Sequence, residues 1–117
     1  MLAAGDVVEL DLGLLEGSEA GLVRPAVVVT ADRILRGGPN VVQVVPLTRT
    51  IRSSASEVII EPAAGNGLAV RSAAQCQHVR AIATGRVGAH LGNVGAVSLR
   101  QLRETLALIF DFLGSIG

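Results

Sequence analysis

The chain has 117 residues, half of them hydrophobic but only 2% aromatic, and its ten basic residues balance its ten acidic ones. This composition predicts a globular protein with an aliphatic core and excludes a disordered chain. A net charge of zero argues against a protein that coats nucleic acid, and no apolar run is long enough to span a bilayer.

A single cytoplasmic domain is expected over residues 1–117, because this length suits one core and leaves no room for a second. The lone cysteine, Cys76, cannot form an intrachain disulfide, which favours a reducing compartment. It is expected to be a small core residue. Acidic residues near the N-terminus interrupt the apolar run that a secretion signal needs.

Three strands are predicted in the first half of the chain, at Asp6–Leu12, Pro25–Thr30 and Val41–Leu47. The first alternates apolar and acidic residues, as a half-buried strand does, and the other two are β-branched runs typical of buried strands. Pro25 is expected at the start of its strand, where no hydrogen-bond donor is lost, and Pro46 at a strand end or a bulge.

The connections between these strands are polar or rich in glycine. Gly13–Val23 predicts a mobile loop, and Ala31–Leu35 predicts one helical turn before the turn at Gly37–Asn40. Thr48–Ala55 predicts an exposed loop. Four arginines and no acidic residue lie within residues 33–52, so a local anion site is favoured over a polyanion-binding stripe.

The second half of the chain predicts three more strands and one clear helix. The strands are expected at Glu57–Glu61, Ala74–Ala81 and Val87–Val94, with a turn at Pro62–Gly67. About six short strands and a C-terminal helix predict an α+β fold with a strongly curved sheet or small barrel.

The helix is expected at Ser98–Leu113. Ser98 and Gln101 form a capping box at its start, and Gly114 ends it. Its apolar face, expected to be intrachain core, comprises Leu99, Leu102, Leu106, Ile109 and Leu113.

No cofactor or metal site is predicted. The chain has neither a phosphate loop of the GxxxxGK[ST] type nor a GxGxxG motif between a strand and a helix. One cysteine and two separated histidines cannot build a zinc site.

Arg24 and Thr48 are the candidate catalytic residues. Arg24 precedes the second predicted strand and Thr48 follows the third, so they meet at one rim if these strands are neighbours. An arginine offers a phosphodiester charge and a forked donor, and a threonine hydroxyl offers a neutral donor. The alternative is that Arg24 is a solvated residue at a strand edge and Thr48 a turn residue.

The motifs of the chain resemble the MazF/PemK toxin family from Gly5 to Leu113. The resemblance rests on Gly5–Val7, Gly17–Glu19, Arg24–Val29, Val44–Thr48, Ser56–Val58, Gln77–Ile82, Leu91–Val94 and the C-terminal helix. Each motif is weak alone, and their combination in this order and spacing is fairly specific.

The resemblance implies an SH3-like barrel shared with the CcdB toxins, and a homodimer. It implies a toxin of a type II toxin–antitoxin system that cuts single-stranded RNA at short sequences without a metal, leaving 2′,3′-cyclic phosphate and 5′-OH ends. It also implies a cognate antitoxin whose disordered tail occupies the RNA groove, and no binding of DNA by the toxin alone. By position, Arg24 and Thr48 match the family's catalytic residues. Phe110 and Phe112 point in different directions on the predicted helix, so one of them is expected at the dimer contact.

The residues assigned to RNA binding are Ser18, Glu19, Arg49, Arg52, Gln77, His78 and Arg80. Ser18 and Glu19 either orient the substrate or are ordinary loop residues. His78 stands where the family has an amide, and serves either in proton transfer or as a histidine bonded within a strand. The family often has an aromatic residue where this chain has Val8, and the chain has no Trp or Tyr. The arginines of the set are therefore the candidates for stacking on unpaired bases.

Two other functions stay open on the same fold. A CcdB-like toxin captures a protein target without chemistry, and an inactive relative serves only as an interaction module. The pair of Arg24 and Thr48 favours the nuclease, because a pure binder needs no such pair. The scarcity of aromatic residues and the neutral charge keep an inactive relative open as an alternative.

Overall fold

A seven-stranded antiparallel sheet makes up most of this computed structural model, which describes residues 1–14 and 21–112. Its strands are β1 (Asp6–Leu14), β2 (Gly21–Val28), β3 (Val41–Thr48), β4 (Glu57–Ile60), β5 (Ser72–Gln75), β6 (Arg80–Ala83) and β7 (Val87–Asn93). A one-turn helix, α1 (Asp32–Leu35), precedes β3, and the long helix α2 (Gly95–Phe110) follows β7. The predicted α+β class is confirmed.

The strands are ordered β4-β5-β3-β2-β1-β7, and β6 lies off this path beside β3. One edge of β3 pairs with β2, and its other edge pairs with β6 near its start and with β5 near its end. In the described part of the chain, the outer strands β4 and β7 do not pair with each other. The sheet is therefore open, whereas the sequence predicted a barrel as one alternative.

The three central strands bury apolar side chains on both faces. Successive valines of β1 illustrate this, because Val7 belongs to one core cluster and Val8 to the other. Leu102 of α2 is buried in the first cluster, and Leu35 of α1 in the second. A sheet covered on both faces produces continuous apolar runs in the sequence, which explains the β-branched stretches of β2 and β3.

The predicted strand Ala74–Ala81 is two strands separated by a 3₁₀ turn at Cys76–His78. From Val44 to Thr48 the chain advances four positions along β3, whereas their partners, Arg80 and Ala73, are seven positions apart. The three-residue turn accommodates this difference. Periodicity alone does not reveal such an insertion within an apolar run.

The first hairpin is longer than predicted, because Leu14 pairs with Gly21. The predicted loop Gly13–Val23 is therefore strand at both of its ends. Pro25 lies inside β2, where it pairs with Glu9, and the β2–β3 ladder begins only at the next residue. Pro25, which has no backbone N–H, therefore does not have to donate a hydrogen bond to β3. Pro46 lies inside β3, one position before the predicted strand end.

Helix α2 begins three residues earlier than predicted, and the capping box at Ser98 is wrong. The side chain of Asn93 accepts the Gly95 N–H at 2.8 Å, and Val94 occupies the N-cap position. The helix ends at Phe110, because Asp111 adopts a left-handed conformation, so the prediction of an end at Leu113 is also wrong. The proposed cap at residue 114 lies outside the described residues. No helix of residues 1–14 and 21–112 is long and apolar enough to cross a membrane.

Candidate active site

A groove of about 550 Å³ opens at the end of the sheet where β3 leaves its pairing with β2. Both apolar and polar side chains border it. Its lining consists of Glu9, Val23, Arg24, Pro25, Leu47, Thr48, Arg49, Thr50, Gly67, Leu68, Ala69, Val70, Ser72 and Leu91.

The two predicted catalytic residues both line this groove. Ala26 pairs with Pro46, and continuing that register by two residues places Arg24 of β2 opposite Thr48 of β3. Residues that face each other in an antiparallel pair share one face of the sheet. The ladder ends at Ala26, so the positions beyond it are open to a ligand.

The Thr48 hydroxyl is oriented by the turn that follows β3. Its Oγ1 accepts the backbone N–H of Thr50 at 3.1 Å. A hydroxyl that accepts one hydrogen bond still carries its own proton for donation. Thr48 can therefore donate to an oxygen atom of a bound phosphodiester.

The guanidinium of Arg24 is exposed. Within residues 1–14 and 21–112, no carboxylate lies at ion-pair distance from it. Arg49, also exposed, borders the same groove. Two arginines that have no carboxylate partner among the described residues provide a site for an anion, since a guanidinium binds phosphate oxygens through paired donors.

The segment Gly67–Val70 forms a wall of the groove that the sequence did not predict as part of the site. Buried Asn66 orders it, because its Oδ1 accepts the N–H groups of Ala63 and Leu68. Gly67 has a positive φ of 69°, and a Cβ there would overlap the carbonyl oxygen of Leu91. The Asn-Gly pair in the predicted turn is the sequence signal for this tight packing.

Glu9 is a further residue of the groove that the sequence did not predict. It is half-buried in β1, pairs with Pro25, and is the single acidic residue among the described residues that line the groove. An alternating strand gives no indication that one of its acidic residues borders a site rather than solvent.

The other predicted RNA-binding residues do not line this groove. Arg52 is exposed in the loop after β3, and its backbone N–H donates to Glu57. Gln77 and His78 are exposed on the 3₁₀ turn, and Arg80 is exposed in β6. Ser18 and Glu19 lie outside the described residues. The predicted site is thus divided, with three of its described residues in the groove (Arg24, Thr48 and Arg49) and four elsewhere.

His78 is not bonded within a strand, so that alternative is wrong for it. His90, in contrast, lies in β7, where its Nε2 is 3.1 Å from Oδ1 of Asp6. Burial opposes the ionised form of Asp6, but hydrogen bonds from Ala3, His90 and Asn93 outweigh it and lower its pKa.

Cys76 is fully buried, and burial raises its pKa to about 11. A thiol in this environment is not ionised near neutral pH and is not a nucleophile. The expectation that it is a core residue is confirmed. Within the described ranges, no three His, Cys, Asp or Glu side chains are placed to hold a metal ion.

The chain matches known proteins over nearly its whole length. The family model of the PemK-like, MazF-like toxins of type II toxin–antitoxin systems matches residues 3–110. Endoribonuclease MazF9 of Mycobacterium tuberculosis is 39% identical over 115 residues, which are 95% of this chain and 98% of that protein.

Two solved structures share the fold. The Mycobacterium tuberculosis toxin MazF-mt6 aligns with a TM-score of 0.73 and 26% identity, over 91% of this chain and 96% of that one. A mycobacterial endoribonuclease in complex with its cognate antitoxin aligns with a TM-score of 0.75 and 21% identity, over 95% and 96%. With these matches, the chain belongs to the PemK-like, MazF-like toxins of type II toxin–antitoxin systems.

Proposed function

We propose that this chain, a MazF-type endoribonuclease toxin, cleaves single-stranded RNA at short specific sequences in the groove between β2 and β3. The observation that carries the proposal is that Arg24 and Thr48 line one groove, each two residues beyond the last pair of the β2–β3 ladder. One residue supplies a positive charge with paired donors, and the other supplies a hydroxyl whose orientation is fixed by Thr50.

The reaction proposed for this pair is an internal transesterification without a metal. The ribose 2′-OH gives up its proton to solvent as its oxygen attacks the adjacent phosphorus. The bond to the 5′ oxygen breaks, this oxygen takes up a proton, and a 2′,3′-cyclic phosphate and a 5′-OH end result. Negative charge grows on the non-bridging oxygens during this step. Arg24 stabilises that charge and donates a proton toward the leaving oxygen, and Thr48 donates a hydrogen bond to a phosphate oxygen.

The toxin acts in the cytoplasm as a homodimer and is inhibited by a cognate antitoxin. An inhibitor that covers the groove would need acidic or extended segments to occupy the sites of the RNA phosphates. Exposed apolar residues at the end of α2 (Leu108, Ile109, Phe110 and Phe112) support pairing with a second copy. The lone buried thiol requires no oxidising compartment.

The deciding experiment compares the wild type with Arg24→Ala on a mixed-sequence RNA in EDTA, with the new 5′ ends mapped. The wild type is expected to make discrete cuts whose 5′ ends require phosphorylation before ligation. Arg24→Ala is expected to cut at least ~10²-fold more slowly, because it lacks the charge that stabilises the transition state.

Arg103→Ala, a matched change at an exposed position of α2, serves as the control and should cleave like the wild type. Wild-type rates in Arg24→Ala would remove Arg24 from the mechanism. A folded wild-type protein that makes no cuts would favour a toxin that captures a protein target instead.

A further inference from the structure

Glu9 places a carboxylate in the groove that the proposed reaction does not use. Its side chain is half-buried, and no ion pair or hydrogen bond to it comes from residues 1–14 or 21–112. A partly buried carboxylate is stabilised by donors that replace its lost water. A ligand in the groove can supply those donors.

Strand alternation separates Glu9 from the phosphate-binding pair. Glu9 is two residues from Val7 in β1, so its side chain lies on the same face of the sheet as Val7, which belongs to the first core cluster. Arg24 pairs with Leu10, which belongs to the second cluster on the other face. The carboxylate and the guanidinium therefore approach the groove from opposite faces of the sheet end. If Arg24 binds the phosphate on one face, the ligand group expected next to Glu9 on the other face is a base rather than the RNA backbone.

The surroundings of Glu9 suit the flat face of a base. The groove that Glu9 borders is also lined by apolar side chains: Val23, Pro25, Leu47, Leu68 and Leu91. Such walls exclude water from the two faces of a base and leave its edge to a polar group. The chain has no Trp or Tyr to provide an aromatic platform, so aliphatic contact and edge recognition carry the binding here.

We infer that Glu9 accepts hydrogen bonds from the Watson–Crick edge of one RNA base and that this subsite prefers guanine, an inference that rests on the nuclease function proposed above. Guanine presents N1–H and an N2 amino group side by side, which match the two carboxylate oxygens. Adenine and cytosine each present one amino group beside a nitrogen acceptor. Uracil presents its single N–H between two carbonyl oxygens, which the carboxylate repels.

The inference is tested by cleaving a randomised RNA pool with the wild type and with Glu9→Gln, and reading the bases around each cut. The wild type is expected to prefer guanine at one fixed position. Glu9→Gln should reduce that preference about 5- to 150-fold and leave the other positions unchanged, because a lost bidentate contact removes that much discrimination. Glu104→Gln, the same change on the exposed surface of α2, is the matched control and should keep the wild-type pattern.

Inosine at the guanine position provides a second readout, since inosine lacks only the N2 amino group. The wild type should cleave the inosine substrate more slowly than the guanine substrate, and Glu9→Gln should cleave the two equally. Binding of the guanine and inosine RNAs to the wild type and to Glu9→Gln is also measured. These RNAs carry a 2′-deoxy nucleotide at the cleavage position, which removes the nucleophile.

The binding arm separates failure of the subsite from failure of the nuclease. Guanine preference in Glu9→Gln equal to that of the wild type, or no preference for guanine in either assay, would overturn the role of Glu9. Guanine-selective binding without any cleavage would support the Glu9 subsite and refute the nuclease function.

Discussion

At the scale of single residues, three different strands contribute Glu9, Arg24 and Thr48 to one groove. Arg24 lies inside β2 and Thr48 ends β3, whereas the sequence placed Arg24 just before its strand. Their positions next to two neighbouring apolar runs were nevertheless enough to predict that they share one rim. Glu9 lies in an alternating strand together with Asp11, and periodicity treats both as residues on a solvated face. Glu9 differs from Asp11 only through the tertiary structure, which brings β1 and the segment Gly67–Val70 to the same groove.

Replacing Thr48 with valine tests the role of its hydroxyl without changing the shape of the side chain. Thr48→Val is expected to lower kcat about 10²- to 10³-fold, the usual effect of removing one donor to a developing oxyanion. Thr48→Ser keeps the hydroxyl and the bond from the Thr50 N–H, so it should recover most of the activity. Single-turnover cleavage rates with saturating enzyme measure the chemical step directly. Equal losses in the valine and serine variants would mean that the methyl group, not the hydroxyl, matters.

At the scale of the elements, the sequence predicted most strands and the final helix, and missed where the helix starts. The Ser98–Gln101 spacing fits a capping box, but the chain turns into the helix at Gly95, whose φ is 86°. The reason is tertiary, because Asn93 at the end of β7 bonds both the Gly95 N–H and Oδ1 of Asp6. A local sequence pattern does not contain a contact between residues 87 positions apart.

Asp6 joins the N-terminal segment, β7 and the start of α2, so its ionisation should contribute to stability. Its pKa in the folded protein lies below the ordinary value of 3.8, which means that folding favours the carboxylate. This contribution is present above about pH 4 and is lost as the pH falls through the folded pKa.

Urea unfolding of the wild type and Asp6→Asn at pH 3, 4, 5 and 7 should show this dependence. The variant is expected to lose about 1–3 kcal/mol at pH 7 and to change less than the wild type between pH 5 and 3. Parallel curves for the two proteins over that interval would show that Asp6 does not contribute to the acid sensitivity.

At the scale of the whole molecule, the C-terminal helix covers the sheet with only part of its apolar surface. Leu102 is fully buried and Leu106 packs against the first cluster, but Leu108 is 80% exposed. Phe110 and Phe112 do not diverge as predicted, because the chain leaves the helix after Phe110 and the two rings stack with centroids 5.3 Å apart. The helical wheel did not anticipate this, since it continued the helix through Phe112.

The exposed end of α2 is expected to contribute to the homodimer. Leu108→Glu should weaken self-association about 30-fold or more, as the loss of a buried apolar anchor does. Val97→Glu, at another exposed apolar position near the other end of the helix, is the control and should leave association unchanged. Sedimentation equilibrium over a range of concentrations gives both dissociation constants. An unchanged value for Leu108→Glu would move the dimer contact to another surface.

The sheet that is apolar on both faces has one more consequence, which concerns errors in strand alignment. Sliding β3 along β2 by one residue would still bury valines on each face, so the core alone discriminates weakly against the slipped arrangement. The distant end of the two strands carries the discrimination instead. There the Thr30 hydroxyl donates to the side-chain carbonyl of Gln43 and accepts its backbone N–H, both at 2.7 Å. A slip by one residue would break both hydrogen bonds and would turn the Thr48 side chain to the other face of the sheet, away from Arg24. The two hydrogen bonds between Thr30 and Gln43, remote from the groove, therefore help to keep the two candidate catalytic residues on one face.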